Sequence, residues 1–282
     1  MRLALLCVLL AGVFCASAES IVAVDDAGRE VTLPAPADRI VSLSPHLTEI
    51  LYELGVGDRI VGTVRYADYP EAAKEIPRLG DAFSVSVESV LSLRPDIVFA
   101  WMTGGAMNSV ERLIELGVPV YINEAPTLDS IPRTMVGMAR LVGREQAGEA
   151  RAAAFRERLA ALDHGAGDVR VFFQISDERL YTVSGDHLIG QAIGLCGGVN
   201  VFQASRIPVP LVGQEAVVAA QPDIIVITQV PGTPEPPWVG KWRDLTAIDA
   251  DIVTIDPNLI SRPGPRMAEG ISQLCALIDG AR

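Results

Sequence analysis

The sequence predicts an α/β protein: two α/β lobes with parallel sheets, joined by one long helix, with a ligand cleft between the lobes. Three observations predict it. Apolar runs such as "DIVFAW" (96–101) and "DIIVIT" (223–228) alternate with helical stretches, which is the pattern of a parallel sheet covered on both faces. A strandless stretch from Ser130 to about Leu162 separates two such regions. A unit also recurs: "ESVLSLRPDIVFA" (88–100) and "EAVVAAQPDIIVIT" (215–228) each place a Glu seven residues before Pro-Asp-Ile.

The elements follow in order. "IVAVDDAGREVTLP" reads as a hairpin with Asp26-Ala27-Gly28 in the turn. "RIVSLS" (39–44) is a strand, and "PHLTEILYELG" (45–55) a helix with Ser44 as N-cap and Gly55 at its end. "IVGTV" (60–64) is a strand, "SVESVLSLR" a helix, "DIVFAW" a strand, "MNSVERLIELG" (107–117) a helix and "PVYINE" a strand. In the middle region Ile131, Met135, Met138, Val142, Phe155, Leu159 and Leu162 keep helical spacing. That predicts one helix of about thirty residues, or a helix with one break. Then "VRVFFQI" is a strand, "LYTVSG" a strand and turn, and "HLIGQAIGLCGG" and "EAVVAAQ" are helices. "DIIVIT" is a strand, "PGTPEPPWVG" (231–240) a Pro-rich loop and "IVTID" (252–256) a strand, before a closing helix from about Arg266 to Ile278. Laying "PHLTEILYELGVGDRIV" on "DHLIGQAIGLCGGVNVF" extends the duplication and sets His46 on His187. The expected division is a signal segment 1–18, a first lobe 19–128, a connecting helix 129–164 and a second lobe 165–282.

"MRLALLCVLLAGVFCASA" has one early cation, a short apolar run and Ala16-Ser17-Ala18. This is the pattern of a cleavable signal peptide, and the run is too short to span a membrane. Lipidation at Cys15 is the rival reading; Phe14 is large for the position before a lipidated cysteine. An exported, periplasmic protein is expected. The chain of 282 residues carries a net charge of −12, and the signal removes one arginine and no acid. Such a protein repels nucleic acid and anionic membranes and is drawn to a basic protein surface. Cys196 and Cys275 are left after cleavage; in an oxidising compartment they suggest one disulfide, with two buried thiols as the alternative. No G-x-S-x-G elbow and no phosphate loop occurs, and His46, His164 and His187 make no zinc motif, so no enzyme, catalytic residue, cofactor or resident metal is expected.

"RIVSLSPHLTEILYELGVGDRIVGTVRYADYP", "VESVLSLRPDIVFAW", "VSGDHLIGQAIGLCGGVNVF" and "SRIPVPLVGQEAVVAAQPDIIVIT" carry a resemblance across nearly the whole mature chain. The sequence resembles the periplasmic cobalamin-binding proteins, substrate-binding proteins of ABC importers whose lobes are joined by one rigid helix. The resemblance implies a monomer that carries cobalamin, or a related corrinoid, to a permease dimer with its ATPase. It implies that Glu88 and Glu215, one on each lobe, meet arginine pockets on the permease. The bottom-up alternative is a helix-terminal carboxylate serving only its own helix dipole.

The resemblance also implies a ligand set. Tyr66 matches a ligand-contacting tyrosine, with packing on Pro70 as the alternative. Phe83 and Trp101 match cleft aromatics, and Tyr181 is a further candidate; each could instead be core. The loop Asn258, Leu259, Ile260, Ser261, Arg262 aligns with a segment that hydrogen-bonds the corrinoid. Arg262 is retained there. Asn258 replaces the family's aspartate, Leu259-Ile260 its Trp-Phe pair, and Val209 a tryptophan. The cysteine positions match the family's disulfide. His46 stands at the expected cleft mouth, where an imidazole could coordinate cobalt or haem iron; a polar cap or surface histidine is the alternative. The rival ligands are haem, held by Tyr66 or His46, and a ferric siderophore, held by Arg65, Arg206, Arg262 and Arg266. A sensor or binding subunit without a transporter is the rival from another class.

Overall fold

A computed structural model describes residues 20–281 apart from 82, 105 and 177. The expected signal peptide and Cys15 lie outside the described residues. A hairpin of β1 (Ile21–Val24) and β2 (Glu30–Leu33) opens the chain. Asp25 fixes its turn by accepting the amides of Ala27 and Arg29.

The first lobe follows: β3 (Ile40–Ser42), α1 (Pro45–Glu53), β4 (Ile60–Gly62), α2 (Val87–Ser92), β5 (Ile97–Trp101), α3 (Met107–Glu115) and β6 (Val120–Asn123). Its sheet is parallel, in the order β4-β3-β5-β6. Then come α4 (Ser130–Leu141) and α5 (Glu145–Ala161). The second lobe holds β7 (Val169–Gln174), α6 (Leu188–Leu195), β8 (Gly198–Asn200), α7 (Gln214–Ala220), β9 (Ile224–Thr228), α8 (Pro237–Arg243), β10 (Asp251–Ile255), α9 (Pro257–Ile260) and α10 (Met267–Gly280). Its parallel sheet runs β8-β7-β9-β10, the same order as the first.

The repeated Pro-Asp unit has the same physical job in both lobes. Asp96 accepts the backbone N–H of Arg39, whose guanidinium donates to the carbonyls of Leu93 and Arg94 at the end of α2. Asp223 accepts the N–H of Arg170, which donates to the carbonyls of Ala220 and Gln221 at the end of α7. Each arginine thereby satisfies carbonyls that a helix end leaves unpaired. Arg94 and Gln221 both take positive φ, 46° and 43°, to turn the chain from helix into strand.

Four expectations are corrected. The middle region is two helices, not one. Gly143, at φ 69°, breaks it, and α5 folds back along α4 so that Arg156 reaches Asp129. Gly148 packs so tightly on Ala139 that a Cβ would stand 2.3 Å from its side chain. α4 belongs to the first lobe, against β1 and α1, which leaves α5 as the link. "LYTVSG" makes only an isolated bridge, Tyr181 with Leu211, rather than a strand. The Pro-rich loop ends sooner than expected, because Pro237 starts α8 at a position where its missing N–H costs nothing. The His46-on-His187 register is also one residue off by helix ends. Gly55 and Gly197, at φ 71° each, close α1 and α6, so His46 lies inside α1 while His187 is the N-cap of α6.

Cys196 and Cys275 form a disulfide between α6 and α10 across a separation of 79 residues. A loop of that length gives at most about 4.5 kcal/mol by chain entropy. Reduction is expected to lower unfolding free energy by about 2–4 kcal/mol, measured by urea titration with and without dithiothreitol.

Candidate functional site

Parallel strands gather ligands at their carboxyl ends. Here the first sheet contributes such ends to one cavity of about 580 Å³, which the second lobe faces with loops and the start of α6, within the usual range for small-molecule sites. The first lobe supplies Trp101 at the end of β5, Thr103, and Glu124 to Pro126 directly after β6. The second lobe supplies Asp186 to Leu188 at the start of α6, with Pro208 and Val209. Ile260, Ser261 and Pro263 close the floor. The wall is mainly apolar; among the described residues it bears two carboxylates and no lysine or arginine.

The cavity thus includes Trp101, Ile260 and Ser261 from the expected ligand set. Val209 and Ile260, two positions where aromatic residues of the resembled family are replaced, both stand on the wall. Tyr66 and Phe83 lie outside it, in loops of the first lobe, 66% and 81% exposed. Tyr66 has φ 67°, a conformation that costs a bulky residue energy and is held only where the surroundings impose it.

The remaining expected residues are placed elsewhere. His46 is buried behind Trp101, whose ring it meets edge-on at 5.4 Å. Its Nδ1 pairs with Ser44 Oγ at 2.7 Å and its Nε2 with Asn123 Oδ1 at 2.9 Å. Burial pushes its pKa down to about 4, partly countered by the Asn123 bond. With both nitrogens engaged and no place on the wall, it is a neutral core histidine rather than an axial ligand at the mouth. Ser44 serves this ring instead of capping α1.

Arg262 is drawn into a lobe-to-lobe clamp. It donates to Glu49 Oε1 at 3.0 Å, to Asp68 Oδ1 at 3.0 Å and to Asn258 Oδ1 at 2.7 Å. Arg266 donates to both oxygens of Glu49 and stacks on the ring of Tyr69, 3.7 Å away. The Glu49 carboxylate is 2% exposed. Asn258 and Leu259 flank this clamp in α9, and Tyr181 stays in its bridge; none of the three is on the wall.

Glu88 and Glu215 occupy the first turns of α2 and α7, exposed, and neither forms an ion pair among the described residues. In a βα unit the helix begins at the strand's carboxyl end, so both carboxylates stand on the side of the fold where the cleft opens.

Sequence reading missed Glu124, His187 and the Glu49 clamp. Glu124 had a signal: it is the first residue past a strand's carboxyl end. His187 was noted only as a partner of His46. Glu49 had none, since both its partners lie more than 200 residues along the chain.

Comparison with known proteins sets this geometry in a family. The periplasmic binding protein family model matches residues 40–239. A vitamin B12-binding protein of Vibrio cholerae serotype O1 is 32% identical over 253 residues, covering 88% of this chain and 92% of that protein. The Yersinia pestis vitamin B12-binding protein is 32% identical over 249 residues, covering 87% and 88%. The crystal structure of the periplasmic vitamin B12 binding protein of Vibrio cholerae superposes with a TM-score of 0.79 at 31% identity, covering 87% of this chain and 98% of that one. A periplasmic heme-binding protein from Roseiflexus sp. RS-1 superposes at 0.73 with 26% identity, covering 87% and 100%. A two-lobed α/β frame, a cavity between the lobes at the first sheet's strand ends and a family match over most of the chain agree, and the protein is a member of the periplasmic binding protein family.

Proposed function

We propose that the protein captures cobalamin or a related corrinoid in its cleft and delivers it to an ABC importer, a permease dimer with its ATPase. It works as a periplasmic monomer after removal of a signal peptide at residues 1–18. The observation that carries this reading is the match, nearly end to end, with vitamin B12-binding proteins. The cavity is compatible with it: Trp101 offers an indole to a flat ring, and Ile260 and Ser261 close the opposite lobe. Tyr66 and Phe83 extend the contact outward from the first lobe. Glu88 and Glu215 are the docking contacts on the permease. Lobe movement is small, because α5 and the Glu49 clamp both tie the lobes together.

Titration of the purified protein, followed by the ligand's visible spectrum, tests the reading. One-to-one saturable cobalamin binding is expected, weakened about tenfold by Trp101→Ala through lost ring contact. Haemin binding with a shifted band, and none for cobalamin, would replace the corrinoid with haem. Tyr66 would then be the axial donor to test, since His46 has no free nitrogen.

A further inference from the structure

Trp101 lines the cavity without a hydrogen bond to hold its indole. The Nε1–H is buried and meets no acceptor among the described residues. The one ring that Trp101 touches among them is His46, perpendicular at 87° with centroids 5.4 Å apart. Aromatic pairs prefer this T-shaped arrangement, so the contact sets direction as well as distance. His46 is in turn fixed at both nitrogens. Asn123 Nδ2 donates to Asp26 Oδ2 at 3.0 Å and to Thr134 Oγ1 at 2.8 Å, which turns its Oδ1 toward the imidazole. His46 Nε2–H therefore donates to Asn123 at 2.9 Å, and Nδ1 accepts from the Ser44 hydroxyl at 2.7 Å. The ring is buried in one tautomer and one orientation. The second lobe closes over it at Gly264, where a Cβ would stand 3.3 Å from that of His46. Asn123 is also the register partner of Trp101 on the neighbouring strand. The imidazole thus bridges the ends of β5 and β6, from which the first lobe's part of the wall is built.

We propose that His46 is a positioning residue for the ligand: pinned by Ser44 and Asn123, it holds the Trp101 indole in the orientation that meets a flat ring in the cleft. The inference rests on the corrinoid reading and adds the residue that makes the aromatic wall ready before the ligand arrives. An indole free to turn must be ordered on binding, and that ordering is taken from affinity. The two parts of the device are separable. Hydrogen bonds fix the imidazole, and the imidazole ring fixes the indole.

The test sets two variants against each other. His46→Phe keeps a ring beside Trp101 but strands the Ser44 hydroxyl and Asn123 Oδ1. His46→Gln keeps an amide donor for Asn123 but removes the ring. Melting temperature is therefore expected to fall further in His46→Phe, while cobalamin affinity falls further in His46→Gln, about fivefold against about twofold. A histidine with a purely structural role gives both losses in the same order, and that result overturns the proposal. In a Trp101→Ala background, His46→Gln is expected to cost no further affinity, because it acts through the indole. A full fivefold loss there overturns the proposal, even where His46→Phe does not fold. A third readout needs no ligand. In protein labelled with 5-fluorotryptophan, the Trp101 fluorine resonance, identified by its loss in Trp101→Ala, is expected as one sharp line in wild type and as a broadened or split line in His46→Gln. An unchanged line in His46→Gln overturns the positioning role. A broadened line together with no cobalamin binding by wild type overturns the corrinoid reading and leaves the positioning of Trp101 standing.

Discussion

Replacing Glu49 with alanine is expected to lower the unfolding free energy by about 3–5 kcal/mol, seen as a lower urea midpoint at unchanged slope. The size follows from what stays behind. Glu49 neutralises two guanidiniums whose side chains are only 13% and 18% exposed. Arg262 keeps Asp68 and the amide oxygen of Asn258 after the substitution. Arg266 has no second carboxylate within ion-pair distance among the described residues, only the face of Tyr69. A cation–π contact recovers about 1–2 kcal/mol, less than the desolvation of an unpaired guanidinium. The double substitution Glu49→Leu with Arg266→Leu is therefore expected to regain a large part of the loss, since the cost lies in the stranded charge and not in the absence of the bond. An unchanged midpoint for Glu49→Ala would mean that the lobes part enough to rehydrate both arginines, and that the clamp does not hold them. The clamp matters for the cleft because Ser261 and Pro263, on either side of Arg262, belong to the cavity wall.

The frame was legible in the sequence because it rests on local signals. Continuous apolar strands, helix stops at Gly55 and Gly117 and the duplicated Pro-Asp unit each act within one lobe, and their repetition predicted two lobes of one topology. The reversal at Gly143 was not legible. A helical run with a glycine in it reads the same whether the chain goes straight or folds back, and the choice is made by Gly148 fitting against Ala139. The site was legible in outline: Trp101 follows a strand at its carboxyl end, and that end faces a cleft in any such fold. Side-chain commitments were hidden. His46 and Arg262 carry groups suited to a ligand, yet each is held by residues remote in sequence, Asn123 for one and Glu49 for the other.

Charge reversal at both proposed docking positions, Glu88→Arg with Glu215→Arg, is expected on that proposal to cut cobalamin uptake by cells about a hundredfold or more, with the cobalamin affinity of the purified protein unchanged. Both carboxylates are exposed and outside the cavity wall, so neither substitution disturbs the ligand. Each lies in the first turn of its helix, where a carboxylate contributes about 0.3–1 kcal/mol through the dipole. An arginine there gives that up and adds a mild repulsion, so urea stability should fall by no more than about 2 kcal/mol. Against an arginine pocket the effect is larger, since reversal removes an attraction and installs a like-charge contact costing several kcal/mol. Single reversals should give intermediate uptake, because a two-lobed protein docked on a two-fold permease keeps one contact when it loses the other, and linked contacts multiply in effect. Added salt should weaken wild-type docking in the same direction, as it screens exposed charge. Normal uptake by the double variant would return both glutamates to the service of their own helices. The duplication would then be a matter of fold alone: in each lobe the Pro-Asp pair fastens a helix to a strand through Arg39 or Arg170, and the glutamate seven residues earlier starts that helix.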